Sequence, residues 1–156
     1  MIHQTARIYP QWSGTPQARH PVRVRINTRR KFAMNIDTAL KEALSIAGAV
    51  GAALVDYESG MSLGTLGGGD WLDLDVAAAG NTEVVRSKLR VMSTLGLNDG
   101  IEDILITLHR QYHLIRLLKP AKGTSTLFVY LVLERERANL ALARHQLKRI
   151  EGDLVV

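Results

Sequence analysis

The chain has 156 residues, of which 46% are hydrophobic and 22% are charged, and this composition is typical of one folded domain with one hydrophobic core. No apolar run approaches the ~18–20 residues that a membrane-spanning helix needs, which argues against a transmembrane protein. The absence of cysteine excludes disulfides, a thiolate nucleophile and a cysteine-built zinc site, and we expect a cytoplasmic protein.

Basic charge is concentrated at the N-terminus. The net charge is +5, but residues 1–33 hold seven basic side chains and no acidic one, which leaves 13 basic and 15 acidic residues elsewhere. The basic character therefore does not belong to the domain, predicted over 35–152, and we expect no nucleic-acid partner for it. Residues 1–34 are predicted to be a disordered basic segment. The alternatives are that translation starts at Met34, or that the segment is an arm for nucleic acid or lipid.

The first predicted elements are a helix and a β-hairpin. Apolar residues recur at helical spacing over 36–47, and Gly48 ends this helix. Residues 50–57 are apolar on both faces, which predicts a central strand. A polar turn then leads to a second predicted strand at 61–66.

A run of three glycines, Gly67 to Gly69, follows the hairpin. Glycine-rich loops can hold phosphate through backbone N–H groups, but this loop lacks a lysine followed by serine or threonine and does not open a βαβ unit. We therefore predict a flexible connector.

A long middle helix is predicted from Asp73 or Asp75 to Leu95, with the acidic residue as its cap. At 100° per residue its apolar side chains span an arc of about 160°, wider than the ~100° stripe that one sheet face requires. The helix is therefore either fully buried or packed on both its own sheet and a second copy. Asn81 and Lys88 interrupt the arc and favour the second interpretation, because an unpaired lysine is costly in a dry core.

The last part of the chain is predicted to form three strands and a helix. The strands cover 101–109, 112–119 and 125–134, and the last of them is apolar on both faces like the first strand of the chain. Asn139 caps a helix that runs to Glu151. The predicted order is α-β-β-α-β-β-β-α.

The predicted fold class is α+β, with a five-stranded antiparallel sheet between two helical layers. Two strands need cover on both faces, so the middle helix covers one face and the two terminal helices share the other. This arrangement is a three-layer α/β/α sandwich. The edge of the strand at 101–108 is a natural place for two copies to pair.

No catalytic group is predicted. His109 and His113 flank a predicted two-residue turn, but no third ligand accompanies them, so we expect two exposed turn histidines rather than a metal site. Asp56 and Glu58 could act as general acid and base, yet a polar turn explains them fully. Ser59 has no base that the sequence reveals. We expect no enzyme, no metal and no cofactor.

The ordered set of segments resembles the roadblock/dynein light chain family over about residues 35–151. The segments that carry the resemblance are GAALVD at 51–56 with Gly60 after it, the long helix at 74–95, IEDILIT at 101–107, LIRLL at 114–118, LFVYLVL at 127–133 and ANLALAR at 138–144. Each is common alone, and their order makes the resemblance specific. Gly80 within the long helix departs from the family pattern and predicts a kink.

The resemblance implies the roadblock (profilin-like) fold and a homodimer in which the middle helices pack antiparallel and the third strands pair into one sheet. By position, the dimer face would contain Val84, Val85, Lys88, Val91 and Met92 on the helix and Ile104 and Ile106 on the strand. The resemblance also implies a non-enzymatic protein, similar to bacterial partners that bind small Ras-like GTPases and control their nucleotide state, polarity or localisation.

The leading hypothesis is a dimeric regulator or scaffold for a small GTPase, since this chain lacks the GxxxxGK[ST] loop of a GTPase itself. Arg116 or Arg144 are candidates for a charge that stabilises GTP hydrolysis. A small-molecule sensor and a nucleotide-independent architectural subunit remain as alternatives. The apolar, filled strand faces argue against the sensor.

Overall fold

The computed structural model describes residues 34–119 and 125–156, where the helices and strands follow the predicted order. In chain order the elements are α1 (Ile36–Leu44), β1 (Ala49–Asp56), β2 (Ser62–Gly67), α2 (Leu74–Thr94), β3 (Asp103–Thr107), β4 (Gln111–Leu117), β5 (Leu127–Glu134) and α3 (Leu140–Asp153). The predictions for residues 1–33 and for the turn at 120–123 lie outside the described residues. Within the described ranges, no helix is long and apolar enough to cross a membrane.

Each helix begins at a side chain that caps it. Asn35 accepts a hydrogen bond from the backbone N–H of Thr38 at 2.9 Å, and Asn139 accepts one from that of Leu142 at 2.9 Å. Asp73, rather than Asp75, caps α2. These caps satisfy N–H groups that have no partner within the helix, so they fix where each helix starts.

The five strands form one antiparallel sheet in the order β2-β1-β5-β4-β3. β1 and β5 lie at its centre, as their apolar faces predicted, and most of their residues are buried. β3 is an edge strand and pairs only with β4 among the described strands. One edge of the sheet is therefore β3, the strand that was predicted to pair between two copies.

Helices cover both faces of the sheet, and the predicted three-layer sandwich is confirmed. On one face, α1 and α3 pack against a cluster that includes Leu54 of β1 and Leu131 of β5. On the other, α2 packs against a cluster that includes Val55, Phe128 and Tyr130. Alternate residues of the same strands thus serve opposite layers, as the two-residue period of a strand requires.

Some element limits differ from the predictions. α1 ends at Leu44, because the chain then tightens into a turn and Gly48, at φ +83°, leads into β1. β3 is shorter than predicted, and the N–H of Leu108 donates to the carbonyl of Gln111 at 2.9 Å. The two-residue connection is therefore 109–110, one residue earlier than predicted. α2 runs unbroken through Gly80, where we predicted a kink.

Candidate functional site

A row of exposed apolar side chains runs along α2. Val84 is 38% exposed, Val91 is 47% exposed and Leu95 is 65% exposed. Ala77, Val84 and Val91 recur every seven residues, so they lie on one line along the helix. We call these three residues and Leu95 the α2 seam. Val84 is the midpoint of the 21-residue helix, with Ala77 and Val91 placed symmetrically on either side.

Two residues predicted at the dimer face lie elsewhere, which corrects the prediction. Val85 is fully buried and belongs to the core between α2 and its own sheet, and Met92 is also buried. The apolar arc of α2 therefore divides into two parts. One part packs on the sheet of the same protomer, and the other, the α2 seam, remains exposed. Val84, Lys88 and Val91 are the predicted helix residues that remain accessible.

The α2 seam borders the β3 side of the sheet. On the opposite flank of α2, Arg86 Nε donates to the carbonyl of Tyr57 at 2.8 Å and so faces the β1–β2 turn. Ile104 and Ile106 of β3 lie half-buried on the same face as α2. An apolar helix stripe and an apolar edge strand thus lie on the same face of the sheet.

His113 is not the exposed turn histidine that we predicted. It is half-buried, its Nδ1 lies 2.8 Å from the Tyr130 hydroxyl, and its Nε2 lies 3.0 Å from Gln111 Oε1. Burial lowers the pKa of His113. His109, in contrast, is exposed. Within 34–119 and 125–156, no three metal-ligating side chains come together.

Arg116 and Arg144, the two candidate charges for GTP hydrolysis, are engaged within the fold. Arg116 is buried, and its Nε donates to Glu151 at 2.7 Å. Arg144 holds both oxygens of Asp103, at 2.9 and 2.8 Å. The same Asp103 lies 3.4 Å from Arg116. This network ties β3, β4 and α3 together, and both arginines bind carboxylates of their own chain.

The acidic turn after β1 is structural. Asp56 accepts hydrogen bonds from the Ser59 hydroxyl at 2.7 Å and from the N–H groups of Glu58 and Ser59 at 3.1 and 3.2 Å. These bonds, above all that from Ser59, lower the pKa of Asp56 to about 2. Ser59 thus donates to a carboxylate that is fixed in its charged form, an arrangement that stabilises a turn.

The glycine loop is a hydrogen-bonded turn, not the flexible connector that we predicted. The N–H of Gly68 donates to the carbonyl of Val50 at 2.8 Å, and Gly69 and Leu72 exchange backbone bonds at 3.2 and 2.9 Å. Gly68 has φ +76°, and a Cβ there would lie 2.6 Å from the oxygen of Leu72. The glycines are thus needed for close backbone packing.

An open cleft of about 470 Å³ lies where the β3–β4 turn meets the end of β5. Its lining residues are His109, Arg110, Gln111, Glu134, Arg135 and Glu136. Arg135 bonds the carbonyl of Leu108 at 3.0 Å, and Glu134 is paired with Arg137 at 3.2 Å. These charges are directed at neighbouring protein groups rather than at a common point, which gives the sensor hypothesis no support.

Comparison with solved structures identifies the fold. A roadblock/LC7 domain from Streptomyces avermitilis is 12% identical, with a TM-score of 0.63 over 76% of this chain and 93% of that one. MglB from Myxococcus xanthus is 16% identical, with a TM-score of 0.59 over 74% and 77%. An MglB with a tetrameric arrangement is 20% identical, with a TM-score of 0.57 over 72% and 79%. No family model and no curated protein sequence matches the chain. The predicted resemblance is confirmed at the level of the fold, which is the roadblock fold.

Proposed function

We propose that this roadblock-fold chain forms a homodimer through the α2 seam and the β3 edge, and that the dimer binds a small Ras-like GTPase. In this proposal it acts in the cytoplasm as a non-enzymatic regulator or scaffold. The observation that carries the proposal is the row of exposed apolar side chains on α2 beside an open sheet edge. Soluble chains seldom leave such a stripe uncovered.

The spacing of the α2 seam supports an antiparallel pair of these helices. Ala77 and Val91 lie seven residues on either side of Val84, the midpoint of α2. Because a twofold interface uses the same patch twice, a pattern symmetric about Val84 suits it.

The GTPase part of the proposal rests on the fold and on the sequence resemblance. Because Arg116 and Arg144 are bound to carboxylates of their own chain, the role of inserting a charge has no support. The proposed action is therefore to position the loops of the GTPase itself, or to tether it.

The test is affinity capture by the full chain from a lysate of its native cells, with a GTP analogue or GDP added, followed by mass spectrometry. We expect a small GTPase to be captured in one nucleotide condition and to be lost with Val84→Glu at the α2 seam. Val76→Glu is the matched control, because Val76 lies on α2 away from the seam and is 68% exposed. Capture of large assembly components regardless of nucleotide would instead favour the architectural alternative.

A further inference from the structure

A chain of hydrogen bonds links β5 and β4 on the face of the sheet that α2 covers. The hydroxyl of Tyr130 lies 2.8 Å from His113 Nδ1, and His113 Nε2 lies 3.0 Å from Gln111 Oε1. The rings of Tyr130 and His113 meet edge to face, with centroids 5.7 Å apart. Tyr130 is buried, whereas His113 is only half-buried.

The direction of these bonds fixes the protonation state of His113. Gln111 Oε1 can only accept a hydrogen bond, so His113 Nε2–H donates to it. A neutral imidazole then accepts at Nδ1, where the Tyr130 hydroxyl donates. Every group is satisfied when the imidazole is neutral. A proton on Nδ1 would face the Tyr130 oxygen and leave the hydroxyl hydrogen without its acceptor.

His113 also lies at the proposed dimer face. It pairs across the sheet with Ile106 of β3, the edge strand, and both side chains are on the α2 side. In one protomer this imidazole is still partly open to water. A second copy seated on the α2 seam and the β3 edge would cover it, and it would remove the water that a protonated imidazole needs.

We propose that His113 makes the dimer sensitive to pH: two copies associate while His113 is neutral and separate when it is protonated. The inference rests on the proposed homodimer and names a regulation of that interface. The signal is acidification. The residue that responds to it, His113, belongs neither to the α2 seam nor to the β3 edge.

The surroundings of His113 offer its protonated form little compensation. α2 carries Asp75 and Glu83, but Ser62 and Arg86 bond them on the flank toward the β1–β2 turn. The titratable and charged groups on the other flank are Tyr130 and Glu134 on β5, Lys88 on α2, and His109 and Arg110 in the β3–β4 turn. β3 contributes the apolar Ile104 and Ile106. The only carboxylate of this set, Glu134, is paired with Arg137 at 3.2 Å. A second copy would add another Lys88 and another His113, and both increase repulsion.

Linkage sets the sign and size of the effect. Burial lowers the pKa of His113 in one protomer, and further burial in the dimer would lower it more. Dimerisation therefore releases protons, and the dimer is tightest above the ordinary histidine range. With two His113 per dimer, the dissociation constant rises by up to about 100-fold for each pH unit of acidification below the monomer pKa.

The experiment is sedimentation equilibrium of the full chain at pH 8.0, 6.5 and 5.5 at fixed ionic strength, with circular dichroism to verify that the chain stays folded. We expect a dissociation constant at least about tenfold higher at pH 5.5 than at pH 8.0. His113→Gln keeps a hydrogen-bonding side chain but cannot titrate, so its dimer should be insensitive to pH over this range. His145→Gln, on the exposed face of α3, is the matched control and should behave like the wild type.

The outcomes separate this inference from the proposed function. A dimer at pH 8.0 whose dissociation constant does not change with pH would overturn the proton switch and leave the homodimer standing. Loss of the pH dependence with His145→Gln but not with His113→Gln would also overturn it. A folded monomer at pH 8.0 would overturn the homodimer itself, and the switch with it. If His113→Gln does not fold, Tyr130→Phe removes the donor to Nδ1, and its dimer should separate at a higher pH than that of the wild type.

Discussion

Val84 is the residue whose substitution tests the α2 seam most sharply. It lies at the middle of α2, on the exposed side of the helix. In an antiparallel dimer centred on it, the two copies of Val84 would meet at the twofold axis. Val84→Glu would then bring two carboxylates together in a site that dimerisation removes from water. In an isolated protomer the same change only alters an exposed position.

The expected loss has two parts. Full burial of a valine is worth about 1.5–3 kcal/mol, and 38% of each Val84 is still exposed in one protomer, so the pair contributes about 1.5 kcal/mol. Two buried carboxylates without partners cost about 1–3 kcal/mol each. Together these terms come to roughly 3.5–7.5 kcal/mol, which raises the dissociation constant of the dimer at least about 300-fold.

The assay is the mass of the folded protein by light scattering over a series of concentrations. Val84→Glu should be a monomer with an unchanged far-ultraviolet circular dichroism spectrum. Val76→Glu makes the same chemical change on the same helix, away from the α2 seam, and should remain a dimer. A folded Val84→Glu protein with the wild-type dissociation constant, or equal loss with Val76→Glu, would refute the placement of the interface.

Three further predictions concern the fold. Gly68→Ala should lower the melting temperature by several degrees, because an L-residue at φ +76° costs about 1–2 kcal/mol and its Cβ would clash with the Leu72 carbonyl. Gly100→Ala adds a Cβ in open space and should melt like the wild type. Equal melting temperatures for the two variants would contradict this account. Asp56, with its pKa of about 2 against 3.8, should stabilise the fold above about pH 4 and lose this contribution as the pH falls toward 2. In an acid titration the stability of Asp56→Asn should not show that loss. Identical stability curves for the variant and the wild type would contradict this prediction. Arg116→Ala should lower the free energy of unfolding, measured in urea, by about 3–5 kcal/mol, because it leaves the buried Glu151 without its charged partner. A loss below 1 kcal/mol would show that the network is dispensable.

The layers and strand order of this fold were predictable because local patterns determine them. Asn35 and Asn139 are capping residues in front of periodic apolar runs, and both cap helices in the structure. β1 and β5 are apolar on both faces, and both are central. These features depend on residues that are close in sequence, so the pattern is readable without knowledge of the fold.

The candidate site was only partly predictable. The width of the apolar arc on α2 indicated surplus surface, but the arc alone does not reveal which part faces the sheet. Val85 proves to be buried against the sheet of its own protomer, whereas Val84 remains exposed. The contact between His113 and Tyr130 joins residues 17 apart on adjacent strands, and it depends on the register. The predicted turn, one residue late, shifts the β3–β4 pairing by two residues, and no local pattern determines the register of β4 against β5.

Cysteine cross-linking at the α2 seam is the most direct test of the dimer on which this account depends. The chain contains no cysteine, so Val84→Cys introduces a single thiol at the proposed twofold axis. Under mild oxidation we predict a covalent species of twice the 17.2 kDa chain mass, with none from Val76→Cys. Val91→Cys should cross-link to Ala77→Cys in a mixture but not to itself, since the helices are antiparallel. Cross-linking of Val91→Cys to itself would indicate parallel helices, and cross-linking of Val76→Cys alone would contradict the proposed interface.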